Sequence, residues 1–151
     1  MPKTVFIGSD HAGLALKASL AAHMAAAGHT VADLGPQDAA SVDYPDFARA
    51  VCAKVLETPG AAGILVCGTG IGMSMAANRI PGIRAALCTN EYLARMTRLH
   101  NDANVLCLGE RVLGAGLAAA IADVFLDAAF EGGRHQRRVD LIETCRPACG
   151  A

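Results

Sequence analysis

Neither sign of charge dominates this sequence, no long apolar run interrupts it, and no CxxC pair occurs. Each absence removes a class of function. Thirteen basic and 14 acidic side chains leave a formal net charge of −1, so nothing draws the whole chain to nucleic acid or anionic membrane. Any phosphate bound here is met by local groups. No segment reaches the roughly 18 uninterrupted apolar residues expected of a membrane span. The opening Met1-Pro2-Lys3-Thr4-Val5-Phe6-Ile7-Gly8 runs straight into a strand pattern, without a basic leader, apolar core or cleavage site. Six cysteines are present, an even number compatible with disulfides. Cys52, Cys88 and Cys107, however, sit inside apolar runs, where free cysteine serves as a small core hydrophobe. Cys145 and Cys149 lack a second ligand pair, so zinc is not expected. A reduced, cytoplasmic protein is the expectation.

What is there points to a folded enzyme-sized domain. Hydrophobic residues make up 53% of the 151 and charged residues 18%, which excludes a disordered chain. That length suits one domain, 1–151, able to bury about 70% of the surface its unfolded chain exposes. Short aliphatic runs at Thr4–Gly8, His29–Asp33, Gly63–Cys67, Ile83–Cys88 and Asn104–Leu108 read as strands. Helical spacing covers Leu14–Ala27, Tyr44–Leu56, Met73–Ile80, Glu91–His100 and Ala115–Phe130, with Gln136–Thr144 as a last helix. Gly28 and Thr58-Pro59-Gly60 are helix stops. Ile64-Leu65-Val66 and Val105-Leu106-Cys107-Leu108 are apolar without alternation, as in strands buried on both faces. The alternation predicts an α/β fold of three layers: a doubly wound, Rossmann-like or flavodoxin-like five-stranded parallel sheet with helices on both faces and a C-terminal helix.

In such a sheet, ligands bind beyond the carboxyl ends of the strands, and polar residues cluster there in this sequence. Ser9-Asp10-His11 follows the first strand, Gly68-Thr69-Gly70 the third and Gly109-Glu110-Arg111 the fifth. Gly68, Gly70 and Gly72 leave a strand and open a helix, so successive N–H groups are free to face one anion. The dinucleotide fingerprint fails because Met73 stands where its third glycine belongs, and no Gly-Lys-Ser/Thr follows to make a P-loop. A small anion or a developing oxyanion fits the loop; a tight turn without a ligand stays open on the glycines alone. Cys67 heads this loop. Thiols at helix N-termini ionise readily, and a thiolate there serves as nucleophile or base, although a cysteine taken alone is more often an inert buried residue.

Further groups invite both readings. Asp10-His11 suits either substrate or a helix cap. His100-Asn101-Asp102 ends a helix, where a histidine is favoured by the dipole and where an imidazole also suits proton exchange near neutral pH. Gly132-Gly133-Arg134-His135-Gln136-Arg137-Arg138 is the one dense basic cluster. Arg134 and Arg138 share a helical face and Arg137 turns away. Two guanidinium forks fit a phosphate, and positive charge at a helix start opposes the dipole unless an anion is present.

Taken together, these segments resemble type B ribose-5-phosphate isomerase, a family that also holds allose-6-phosphate isomerase and the galactose-6-phosphate isomerase subunits. The likeness runs from Val5 to about Glu143 through Gly8-Ser9-Asp10-His11-Ala12-Gly13, Asp43-Tyr44-Pro45, Cys67-Gly68-Thr69-Gly70-Ile71-Gly72, Ala76-Ala77-Asn78, Gly82-Ile83-Arg84-Ala85, His100-Asn101-Asp102-Ala103-Asn104, Gly109-Glu110-Arg111 and Glu131-Gly132-Gly133-Arg134-His135. The resemblance implies Cys67 as the base between C2 and C1, and the loop Gly68, Thr69, Gly70, Ile71, Gly72 as holder of the enediolate oxyanion. It implies His100 in opening the furanose ring, Asp10 beside the ring oxygen or hydroxyls, and Asn101 on the substrate. His11, Arg111, Arg134 and Arg138 would hold the phosphate, with Tyr44 lining the sugar site. It also implies a homodimer, or a tetramer of such dimers, with sites shared between subunits.

A branch of that family without the loop cysteine uses a glutamate one residue after the third glycine. Here that residue is Met73, which takes no proton. The galactose-6-phosphate subunits lose the Asp-His pair or the His-Asn-Asp run; this chain keeps both, which favours ribose 5-phosphate. No Asp/Glu/His grouping has the spacing of a divalent-metal site, so neither metal nor cofactor is expected, and the reaction is a proton transfer. Two other readings remain: isomerisation of allose 6-phosphate or another aldose 6-phosphate, and a non-catalytic anion-binding module on the same sheet.

Overall fold

The strand Ala62–Cys67 (β3) is buried at every position and forms the centre around which the chain is wound. The structure, a computed structural model, describes residues 1–144; Cys145 and Cys149 lie outside the described residues. β3 is flanked by Thr4–Ser9 (β1) and Val105–Gly109 (β5), with Thr30–Asp33 (β2) and Ala85–Leu87 (β4) outside them. The sheet has five strands in the order β2-β1-β3-β5-β4, all parallel.

Parallel strands need crossovers, supplied here by Leu14–Ala26 (α1), Tyr44–Glu57 (α2), Ile71–Ala77 (α3) and Glu91–Asn101 (α4). Ala115–Asp127 (α5) and Arg134–Thr144 (α6) follow β5. Alternate side chains of each strand feed two cores. Ile64, Val66, Leu106 and Leu108 pack with Leu20, Met24, Ile121 and Phe125 on the α1/α5 side. Leu65, Cys67, Val105 and Cys107 pack with Val51, Val55, Met73 and Ala77 on the α2/α3 side. Because α1 and α3 lie on opposite faces, their connections leave β1 and β3 in opposite directions and open a crevice between those strands. The C-terminal helix, α6, packs on α4 and bonds through Glu143 to Gly82 and Arg84. No described helix is long and apolar enough to cross a membrane.

The expected elements are present, with edges set by local geometry. Gly28 (φ +91°) and Gly60 (φ +80°) end α1 and α2 as stops. α3 starts at Ile71 instead of Met73, because Gly70 takes the left-handed conformation as its N-cap. β4 is three residues long instead of six. Side-chain amides replace its ladder: Ala85 N–H donates to Asn78 Oδ1 and Arg84 N–H to Asn104 Oδ1. α5 stops at Asp127 instead of Phe130, since Ala128 is extended and the chain turns onto α4 through Glu131 N–H to the Leu99 carbonyl, 3.1 Å. Gly132 and Gly133, both with positive φ, then start α6 two residues early, at Arg134.

Lys17 is the one buried cation whose placement bears on this frame. The residue is 1% exposed, and its ammonium lies 2.7 Å from both Asp33 oxygens and from the Pro36 carbonyl, tying α1 to the end of β2 and the turn after it. Removing one partner of such a pair strands the other charge, so Asp33→Ala is expected to cost about 3 kcal/mol in urea unfolding, and Lys17→Met distinctly less. Equal losses in the two variants contradict a stranded charge.

Candidate active site

Cys67 closes β3 with its side chain on the α2/α3 side, 6% exposed. The chain then reverses so tightly that the Gly70 N–H donates to the Cys67 sulfur at 3.0 Å. Only glycine fits at that donor. Its φ is +79°, and a Cβ there would stand 2.5 Å from Leu87 Cδ1 and 2.9 Å from the Leu108 carbonyl carbon. The strand end is fixed from β5 by Glu110 N–H to the Cys67 carbonyl, 2.9 Å, and Arg111 N–H to the Gly68 carbonyl, 3.0 Å. The exposed Arg111 side chain therefore runs beside Gly68. Thr69 accepts from the Ile71 N–H through Oγ1 at 3.3 Å. Tyr44, 40% exposed, lays its ring against Gly72, where an added Cβ would meet Tyr44 Cζ at 2.9 Å.

The other three described cysteines are buried more deeply than Cys67. Burial pushes the Cys52 thiol up to about 12 and the Cys88 thiol to about 11, and holds Cys107 well above the usual thiol range. They are inert core residues.

β1 delivers Asp10 to the same edge, its N–H bonded to the Val66 carbonyl at 3.1 Å. Oδ1 caps the turn ahead of α1 by accepting from Ala12 N–H at 2.9 Å and Gly13 N–H at 3.1 Å. The cap reading is thus satisfied by one oxygen, and Oδ2 makes no hydrogen bond among the described residues. The exposed His11 accepts from Val42 N–H through Nδ1 at 3.3 Å.

The remaining predicted residues stand elsewhere. α4 runs back across the sheet, so His100 and Asn101 precede β5 at the amino-terminal edge of the strands. Five residues of β5, at about 3.3 Å each, put roughly 15 Å between that edge and Cys67. Arg134 and Arg138 belong to α6, docked at the end of α4. Both are exposed, and Arg138 Nη1 reaches back to the Arg134 carbonyl at 3.5 Å. One chain therefore gathers Cys67, the glycine loop, Asp10, His11, Tyr44 and Arg111 at one edge. His100, Asn101, Arg134 and Arg138 gather at the other.

Two features of that second edge escape the sequence reading. An ion network joins Arg84 to Glu143 (2.7 Å) and to Asp102 (3.0 Å), with Arg98 on Asp102 at 3.1 Å. It clamps α6 to α4. The second feature is a stack of His100 on His135, ring centroids 4.2 Å apart and planes 8° from parallel. Glu131 Oε2 lies 3.5 Å from His135 Nε2 and 4.0 Å from His100 Nε2. Burial first, then the positive neighbours His100 and Arg134, depress the proton affinity of His135, against the pull of Glu131. The nitrogens and the carboxylate fall within 4.8 Å of one another, a grouping of metal-ligand types where the sequence spacing predicts none. The lone pairs of a ring lie in its plane, and parallel planes share no point. In this arrangement the two rings do not aim at a common ion.

The sequence profile of the family described as Ribose/Galactose Isomerase matches residues 5–142. The Escherichia coli (strain K12) protein named ribose-5-phosphate isomerase B is 46% identical over 140 residues, 93% of this chain and 94% of that protein. The structure of Clostridium thermocellum ribose-5-phosphate isomerase B superposes with a TM-score of 0.91 at 52% identity, covering 93% of this chain and 95% of the other. A Thermotoga maritima ribose 5-phosphate isomerase gives 0.92 at 47% identity, with coverage of 94% and 98%. Profile, sequence and fold agree over nearly the whole chain, which belongs to the ribose/galactose isomerase family.

Proposed function

We propose that this protein interconverts D-ribose 5-phosphate and D-ribulose 5-phosphate, a step of pentose phosphate metabolism, by metal-independent proton transfer in the cytoplasm. The observation that carries the reading is the sulfur of Cys67 set against the Gly70 N–H, at the carboxyl edge where a parallel sheet binds its ligand. The relatives named above supply the sugar.

The chemistry divides among the groups by type. In the furanose, the C1–ring oxygen bond breaks as His100 gives its proton to the ring oxygen and the anomeric hydroxyl loses its own to Asp10 Oδ2. In the open aldose, the Cys67 thiolate takes the C2 proton. Electrons move into a C1–C2 double bond and the charge settles on O1. Backbone N–H groups of the loop Gly68 to Gly72 stabilise that oxyanion, the species whose charge grows most on the way to the transition state. Cys67 returns the proton to C1 while the hydroxyl proton passes from O2 to O1, giving the ketose. His11, Arg111, Arg134 and Arg138 bind the phosphate, Asn101 a hydroxyl, and Tyr44 walls the sugar.

No single chain holds this set in one place. The reading therefore includes a homodimer, or a tetramer of such dimers, in which His100, Asn101, Arg134 and Arg138 of one subunit face Cys67 of the next. Exposed Ile71 and Met75 beside the loop support a covered surface there.

Cys67→Ala is expected to lower kcat by about a thousandfold or more while phosphate affinity changes little; turnover near that of the parent removes Cys67 as base. Arg138→Ala is expected to raise KM for ribose 5-phosphate by about tenfold, and an unchanged KM takes it out of the phosphate site. Dialysis against a chelator should leave kcat unaltered. Loss of activity that added divalent metal restores contradicts a proton-transfer mechanism.

A further inference from the structure

His100 does not stand alone at its edge of the sheet. Its ring lies flat on that of His135 at 4.2 Å, and His135 is buried, 8% exposed, in the first turn of α6. The stack is held by backbone as well as by rings: Glu131 N–H binds the Leu99 carbonyl, and Gly132 and Gly133 turn the chain from Glu131 directly into His135. The Glu131 carboxylate lies beside both imidazoles, 3.5 Å from His135 Nε2 and 4.0 Å from His100 Nε2.

The charges around the pair are unequal. Arg134 Nε approaches His135 Nε2 at 3.3 Å, and a guanidinium only donates. That nitrogen of His135 is therefore the acceptor, and its proton sits on Nδ1. Two cationic rings at stacking distance repel, and Arg134 adds to the repulsion on the His135 side.

We infer that His135 and Glu131 are positioning residues for His100, the His135 ring fixing the plane of the imidazole and the Glu131 carboxylate flanking its Nε2 edge. This rests on the ring-opening role proposed for His100, and it turns that residue from a half-buried helix-end histidine into an oriented acid. Neither His135 nor Glu131 needs to touch the sugar.

Ring opening and carbon-proton exchange separate experimentally. Ribose 5-phosphate must open, whereas ribulose 5-phosphate has its C5 oxygen blocked and no hydroxyl able to close a five-membered ring on C2. Solvent deuterium uptake at C1 of ribulose 5-phosphate therefore reads Cys67 without His100. His135→Ala is expected to slow turnover of ribose 5-phosphate by about tenfold or more and to leave deuterium uptake within about twofold of the parent. His135→Phe, which keeps a flat ring, should recover most of the ribose turnover, and Glu131→Gln should lower it with KM little changed. Parallel losses in both assays, or no recovery with phenylalanine, overturn the inference while leaving the isomerase reading intact. A parent protein inactive in both assays overturns the isomerase reading, and this inference with it.

Discussion

The reactive edge of the sheet depends on one contact, the Gly70 N–H directed at the Cys67 sulfur from 3.0 Å. The contact requires the chain to fold back within three residues of a buried strand. It does so only because residue 70 lacks a side chain in a space already filled by Leu87 and Leu108. From that reversal follow the early start of α3, the seat of Tyr44 on Gly72 and the passage of Arg111 beside Gly68. That backbone donor holds the Cys67 sulfur at the start of α3. The three cysteines pushed away from ionisation by burial have no such donor.

The second constraint is topological. A helix that connects parallel strands ends at the edge opposite the one where it began. α4 therefore carries His100 and Asn101 away from Cys67 as inevitably as β3 carries Cys67 to the reactive edge. The ion network Glu143–Arg84–Asp102–Arg98 then fixes α6 to that far end, and with it the arginine pair. Two of the proposed phosphate ligands, Arg134 and Arg138, thus travel with the proposed ring-opening acid, while His11 and Arg111 stay with the proposed base and its loop. Assembly of chains is thus a condition of the proposed chemistry and not an addition to it.

Much of this was legible in the residues. Ile64-Leu65-Val66 and Val105 to Leu108 read as doubly buried strands because both sheet faces are covered, and both runs are fully buried. The loop glycines and Cys67 announced a site because glycine spacing is a local signal. Boundaries were less legible where side chains replace backbone partners, as Asn78 and Asn104 do along β4. The His100–His135 stack had no local signature at all. Its members lie on elements separated by β5 and α5, and only the turn of residues 128–133 onto α4 brings them together. Asp10 shows the opposite case, where a structural and a functional reading are compatible: one oxygen caps the turn and the other makes no bond among the described residues.

The central claim, a site that takes its base from one chain and its ring-opening acid from another, is tested most directly by mixing two dead variants. Cys67→Ala and His100→Ala, unfolded together and refolded, form hybrid dimers with one intact site and one doubly altered site. With random pairing, the mixture should regain roughly a quarter of the activity of the unaltered protein, the share set by the two-fold symmetry of the pair. A mixture no more active than its components contradicts the shared site.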